Sequence, residues 1–225
     1  MIADYFPMSR LIHTAVCAAA ITGVVIFAAQ ISAAQETVGA ITKVSGIANL
    51  ARGGKVLDAI AAMPVAIGDQ FRTMRNAQMS VTFSDGSRAE LGELSSFTID
   101  RYSLSGPARK SALLELWGGK LRTIVKTATA SAPSFEVHTP NAVAAVRGTD
   151  FETAYVMNRP CPEDHTCTRY TTVGVSKGIV AVSNPGNPAP PTAVREGYET
   201  TVACESAATS PAPLGMEDLG APGYH

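Results

Sequence analysis

The sequence predicts an all-β domain, an antiparallel short-strand sandwich or double-stranded β-wrap, preceded by a signal peptide or a single membrane helix. Three observations lead there. From residue 38 to about 203, short runs of apolar–polar alternation are broken by Gly, Asp, Asn, Ser or Pro, the pattern of many short antiparallel strands. No apolar stripe in that span keeps helical spacing over three turns. The first 34 residues and the last 20 differ from it in composition, which divides the chain into a targeting segment (1–34), an all-β domain (35–205) and a Pro/Ala/Ser/Gly tail (206–225).

The first segment carries only Asp4 and Arg10 as charges, and residues 11–29 are apolar apart from His13, Thr14, Thr22 and a Gly. Ser32-Ala33-Ala34 then offers small residues where a signal peptidase reads them, the order of a secretory signal. A run of this length also suffices to span a bilayer if it stays uncleaved. Either way, the chain after Gln35 is expected outside the cytoplasm, periplasmic or secreted, with Arg10 held inside. Cys17 sits mid-run behind Val16, which does not fit a lipoprotein. Membrane contact is expected only through this segment.

The net charge of −1 provides no basic field for phosphates, so nucleic acid is not expected as a partner. Three cysteines follow the targeting segment: Cys161, Cys167 and Cys204. In an oxidising compartment an odd count means one pair plus a leftover thiol, or pairing between chains.

Strands are expected over residues 38–44, 77–83, 113–117, 120–125, 135–138, 151–156, 171–175, 179–182 and 198–202. Residues 60–63 and 142–146 are read as single turns. One hairpin resolves to the residue. A two-residue Asp85-Gly86 loop would set Phe83 against Arg88 and Val81 against Glu90. A three-residue loop pairs Phe83 with Ser87, Val81 with Ala89 and Met79 with Leu91. Register follows the buried face, so the three-residue loop is expected, with Gly86 left-handed and Asp85 a turn residue rather than a catalytic acid. Leu114-Glu-Leu-Trp-Gly-Gly-Lys-Leu, Val173-Gly-Val-Ser-Lys-Gly-Ile-Val and the shorter Val44-Ser-Gly-Ile echo one another at irregular spacing. They read as recurring hairpins rather than a solenoid repeat. Residues 185–191 form a Pro-rich loop before the last strand. The tail from 206 has too little apolar surface to offset its ordering entropy and is expected to be disordered.

Phe135-Glu-Val-His-Thr-Pro-Asn-Ala-Val-Ala-Ala-Val-Arg-Gly-Thr-Asp-Phe resembles the signature stretch of FecR-type periplasmic domains. Gly68-Asp69 leading to Thr73, Phe83-Ser-Asp-Gly-Ser and Leu116-Trp-Gly-Gly-Lys-Leu are similar to its other elements, in order. The resemblance covers residues 38–202, and its specific part is Thr139, Pro140, Val146, Arg147, Gly148 and Thr149. It implies a non-catalytic envelope domain that recognises another protein and relays a signal, in the regulators of that name from an outer-membrane receptor to a complex controlling a sigma factor. Only about ten residues precede the apolar run here, too few for a cytoplasmic anti-sigma domain. A stand-alone exported module is therefore expected.

Each candidate residue also has an architectural reading. Arg147 reads as an internal arginine pairing with a carboxylate or carbonyls, or as a grip on a partner's carboxylate; Gly148 serves close approach and Thr149 a strand. Cys161 and Cys167 flank a five-residue loop and read as a disulfide. The alternative is a metal site of Cys161, His165 and Cys167, with no fourth ligand unless Cys204 approaches. Cys204 is left either free or linking two chains. His138 alternates with Val137 and Phe135 on the solvent side of a strand, without an evident catalytic partner. Trp117 reads as core, with a carbohydrate platform as the alternative. Asp58, Asp69, Asp85 and Asp150 fall at turns, where aspartate is favoured, rather than as a paired-carboxylate hydrolytic site. No nucleophile elbow, Walker, zinc-protease or Rossmann motif is present, and no cofactor is expected. The partner is expected to be an envelope protein, met through a sheet edge or loops. A structural or adhesive envelope component and, third, a glycan-binding or glycan-cleaving protein are the alternatives.

Overall fold

The computed structural model describes residues 36–106, 108–127, 134–162 and 164–215; the expected signal segment lies outside them. They hold seventeen strands, and none of these residues is helical. Alternation in sequence becomes alternation in burial: Gln78–Phe83 turns Met79, Val81 and Phe83 inward and its polar residues outward. A strand so patterned must face a second apolar layer.

Two sheets provide the layers. Sheet A runs β4 (Pro64–Ala66), β1 (Thr37–Ser45), β6 (Gln78–Phe83), β7 (Arg88–Leu91), the second half of β9 (Ala108–Ile124), β12 (Asp150–Met157), β13 (Arg169–Lys177), β16 (Tyr198–Ala203) and β17 (Ala212–Pro213). Sheet B runs β3 (Lys55–Asp58), β2 (Ala48–Arg52), β5 (Gln70–Thr73), β8 (Ser96–Ser105), the first half of β9, β10 (Phe135–Thr139), β11 (Ala142–Val146), β14 (Ile179–Ser183) and β15 (Thr192–Arg195). Every pairing is antiparallel except β9 with β10. Hairpins fall in both sheets along the chain: β2–β3 in B, β6–β7 in A, β8–β9 in B with β9 continuing into A, β10–β11 in B, β12–β13 in A and β14–β15 in B. The chain thus winds as a double-stranded wrap closing on one core. Phe83 of sheet A stacks on Tyr102 of sheet B at 4.7 Å and meets the edge of Phe135 at 6.5 Å.

The hairpin register is the one read from the sequence: Met79 opposes Leu91, Val81 opposes Ala89, and Phe83 N–H donates to Ser87 C=O. Gly86 has φ +81°.

Three expectations change. Residues 113–117 and 120–125 form one strand, β9, rather than a hairpin about Gly118-Gly119. That strand leaves sheet B and enters sheet A at the glycine pair, where Gly119 has φ +80° and an added Cβ would lie 2.1 Å from Ser95 Oγ. Gly46 and Gly178, the glycines of the two other echoes, also have positive φ and stand where the chain passes from sheet A to sheet B. The echo therefore marks crossings between layers, not hairpin turns. Residues 142–146 are strand β11, because Ala142, Ala144 and Val146 alternate inward. Finally, residues 206–215 are not a disordered tail: Ser206 N–H donates to Ala203 C=O, Thr209 N–H to Thr201 C=O, and Leu214 N–H to Gly197 C=O. The apolar surface they need is the outer face of sheet A, where Leu214 covers Gly174. Residues 216–225 lie outside the described residues.

Gly119→Ala is expected to cost about 2 to 5 kcal/mol, combining a left-handed Cβ with overlap on Ser95. Gly54→Ala, also left-handed but in open space, should cost only about 1 to 2 kcal/mol. Urea midpoints at constant m-value measure both; equal losses would mean the crossing is not tightly packed.

Candidate functional site

The buried polar chemistry concentrates at one end of the sandwich, on Asp85. The β6–β7 turn carries it inward, where its carboxylate accepts from Ser87 N–H (2.8 Å), Ser87 Oγ (2.8 Å), Tyr102 OH (2.5 Å) and the Arg109 guanidinium. The Asp85 and Arg109 side chains are only 5% and 1% exposed. Arg109 also donates to Ser87 Oγ, Ser134 Oγ and the carbonyls of Lys126 and Arg147, and lies 5.2 Å from the Phe135 ring centroid. Burial pushes the Asp85 carboxyl up, but the bonds from Tyr102 and Ser87 and the charge of Arg109 outweigh it and hold the group below its ordinary value. Burial, then the bond to Asp85, pushes the Tyr102 hydroxyl well up.

The motif residues frame this site and its counterpart at the other end. Thr139 and Asn141 bracket the β10–β11 turn at Pro140. Thr139 Oγ1 meets Thr171 Oγ1 at 2.7 Å, Asn141 Oδ1 accepts from Thr171 Oγ1 at 2.7 Å, and Asn141 Nδ2 donates to Val202 C=O at 2.8 Å. A sheet B turn is thereby bound to β13 and β16 of sheet A. Val146 is buried opposite Phe135. A Cβ on Gly148 would lie 2.6 Å from Thr127 Cα, so the expected close approach is present. Thr149 is buried and exchanges backbone bonds with Val125. Arg147 corrects its expectation: its side chain is exposed and only its carbonyl enters the buried network. The internal arginine is Arg109, which the sequence reading missed. Plain alternation from Leu114 and Leu116 would turn Arg109 outward, but a register shift between Ser103 and Leu104 reverses the parity.

The aspartates are engaged individually. Arg52 grips Asp69 through Nε (2.6 Å) and Nη2 (2.5 Å), and Arg122 grips Asp150 at 3.0 and 2.8 Å; each carboxylate raises its arginine's pKa. Asp58 accepts from Asn49 Nδ2 at 3.3 Å. With Asp85 on Arg109, three of the four candidate carboxylates are bound by guanidinium. His138 is half-buried, with Nε2 2.7 Å from Glu136 Oε2.

The cysteines pair differently from expectation: the disulfide joins Cys167 to Cys204, and Cys161 is a buried free thiol. Strand pairing decides this. β13 and β16 pair Tyr170 with Ala203, and Cys204 N–H donates to Arg169 C=O. Cys204 is thereby placed beside Cys167, with Cα atoms 5.9 Å apart. Cys204 is neither free nor available to a second chain, and the Cys161–His165–Cys167 metal reading loses a ligand. Trp117 also corrects its expectation. It is 46% exposed on sheet B, donating Nε1–H to Thr98 Oγ1 at 3.0 Å, because Leu114 and Leu116 take the inward positions.

An open groove of about 1000 Å³ lies on the outer face of sheet A, lined by Arg88, Glu90, Lys120, Arg122, Glu152 and neighbours. Its charges compensate one another across strands: Arg122 holds Asp150, and Lys120 lies 3.1 Å from Glu152.

Asp85→Asn leaves Arg109 buried without its anion and is expected to destabilise by about 3 to 5 kcal/mol. Because its folded pKa is lowered, Asp85 contributes fully above the unfolded carboxyl value of about 4 and loses that contribution as pH falls through the folded value. Chemical denaturation from pH 7 to 3 should therefore show a steeper acid loss in the wild type than in Asp85→Asn; parallel curves would remove Asp85 as the acid-sensitive group. Non-reducing peptide mapping should recover Cys167 linked to Cys204, with Cys161 alkylated only after unfolding. In the chain-entropy model, closing 37 residues is worth about 4 kcal/mol, which Cys204→Ser should forfeit. A Cys161–Cys167 peptide would overturn the pairing.

The sequence profile of the family described as FecR protein matches residues 69–181, half of the chain. Two crystal structures of a candidate anti-sigma factor from Parabacteroides distasonis ATCC 8503 are each similar at 19% identity and a TM-score of 0.45. The similarity covers 60% of this chain and 54% of theirs, so the chain spans about half the length of those solved proteins. A search of curated proteins returned no match. The matched span holds Asp69, the Asp85–Arg109 site and the Thr139–Thr149 stretch, and on that match the chain belongs to the FecR family.

Proposed function

We propose that the chain is an exported, non-catalytic protein-binding or signal-relay module of the bacterial cell envelope. The observation that carries the reading is the family match over residues 69–181, which brings with it a class of regulatory rather than enzymatic domains. The buried chemistry supports it. Asp69, Asp85 and Asp150 are each neutralised by an arginine, and a carboxylate so held is a poor general base because its lone pairs are occupied. The apolar run and Ser32-Ala33-Ala34 support export, periplasmic or anchored at the inner membrane. The adhesive alternative through Cys204 cross-links loses its thiol to Cys167.

Formaldehyde cross-linking of intact cells, followed by isolation through a C-terminal tag, tests this. One envelope regulator or outer-membrane receptor should be recovered in stoichiometric amount, and deletion of the chain should change a defined set of transcripts. Recovery of only the chain itself or of wall material, with unchanged transcripts, would overturn it.

A further inference from the structure

The groove on sheet A carries mixed charge, with Lys120 on Glu152 and Arg122 on Asp150, whereas the end of the sandwich opposite Asp85 presents apolar side chains that the fold does not require. Leu94 stands at φ +50° and is 57% exposed. A leucine in left-handed backbone costs about 1 to 3 kcal/mol, and so exposed a side chain regains little of that by burial. Beside it are Ile47, 67% exposed, and Met74, 36% exposed. Backbone bonds set the three in one row: Met74 N–H donates to Ile47 C=O at 3.0 Å, and Leu94 N–H to Met74 C=O at 3.3 Å.

The row is rigid. Thr73 Oγ1 beneath it donates to Gly92 C=O at 2.6 Å and accepts from Ser95 N–H at 3.0 Å. A Cβ on Gly46 would lie 2.9 Å from Ala77, so the Ile47 loop is packed against the Met74 loop. Such a surface is formed before binding and costs little ordering entropy on association. Arg72 and Arg75 are exposed, with no carboxylate partner among the described residues, and Glu93 accepts from Asn76 N–H at 2.6 Å, so two positive charges stand against one negative. Ser96, two residues beyond Leu94, pairs with Arg72 on one side and with Gly118, next to exposed Trp117, on the other.

We propose that the Ile47–Met74–Leu94 row, flanked by Arg72 and Arg75, docks a segment of a partner protein that presents apolar side chains next to Asp or Glu. The inference rests on the protein-binding reading above and names its surface. Apolar side chains give the contact its energy, while two arginines without internal partners select an acidic neighbourhood. Lipid fits less well: recognition of an anionic membrane draws on clusters of about four to eight basic residues, and here there are two, with the Glu93 carboxylate bonded to Asn76 N–H next to Arg75 in the chain.

The test places photoreactive p-benzoylphenylalanine at Ile47, or at Thr172 in the sheet A groove, of the full chain in intact cells. An adduct should form from Ile47 and not from Thr172, and its partner peptide should carry Asp or Glu within a few residues of an apolar side chain. Arg72→Glu with Arg75→Glu, and separately Leu94→Gly, should each cut its yield at least fivefold. The melting temperature of Leu94→Gly should be unchanged or higher. An adduct from Thr172 alone would overturn this surface but leave the protein-binding reading standing, as would absence of both adducts beside a positive formaldehyde capture. Absence of both with a negative capture would end both. A phospholipid adduct at Ile47, a partner peptide without acidic residues, or a yield indifferent to Leu94→Gly would overturn the inference.

Discussion

The buried pair of Asp85 and Arg109 is the constraint on which the rest of the molecule depends. A guanidinium taken out of water is tolerated only if its charge is balanced and its donors are used. Here one guanidinium reaches Asp85 and Ser87 of the sheet A turn, Ser134 at the start of the first sheet B hairpin after β9, and the carbonyls of Lys126 and Arg147. Those groups come from four separate stretches of chain, so none of the four turns can shift without stranding a buried polar atom. Two sheets held by apolar packing alone can slide over one another; a directional network of this kind fixes their offset.

A second tie, made of neutral groups, closes the opposite end. Thr139, Asn141 and Thr171 share hydroxyl and amide bonds, and Asn141 reaches the Val202 carbonyl. The signature stretch from Thr139 to Thr149 therefore runs from one tie to the other: its threonine–proline turn belongs to the neutral tie, and its Val-Arg-Gly-Thr turn supplies a carbonyl to the charged one. Within it Gly148 has no room for a side chain and Val146 lies in the core, while the Arg147 side chain is exposed. The apolar row of Ile47, Met74 and Leu94 lies in the loops at the neutral end.

Most of the fold was legible because a half-buried strand has only two faces. Burial of Met79, Val81 and Phe83 on one face dictated the register with Ala89 and Leu91 and left Gly86 to make the turn. What escaped were the places where a single residue changes the count. One register shift near Leu104 turned Arg109 inward, and the alternation of Leu114 and Leu116 sent Trp117 out where an isolated aromatic had suggested core. The glycine echoes were visible as a recurrence, but crossing a sandwich and turning a hairpin make the same demand for positive φ, so local sequence does not distinguish them.

The sequence by itself determined the class of fold, the strands with clear alternation such as Gln78–Phe83 and Asp150–Met157, the hairpin at Gly86 and the family, since all of these follow from local periodicity or from a contiguous motif. Only the tertiary structure decided which charges meet, which cysteine takes Cys167, and which apolar residues remain outside. The partners concerned lie 24 residues apart in Arg109 and Asp85 and 37 apart in Cys167 and Cys204. Their meeting depends on strand order and register across the sheets, a property of the assembled layers that no local pattern encodes.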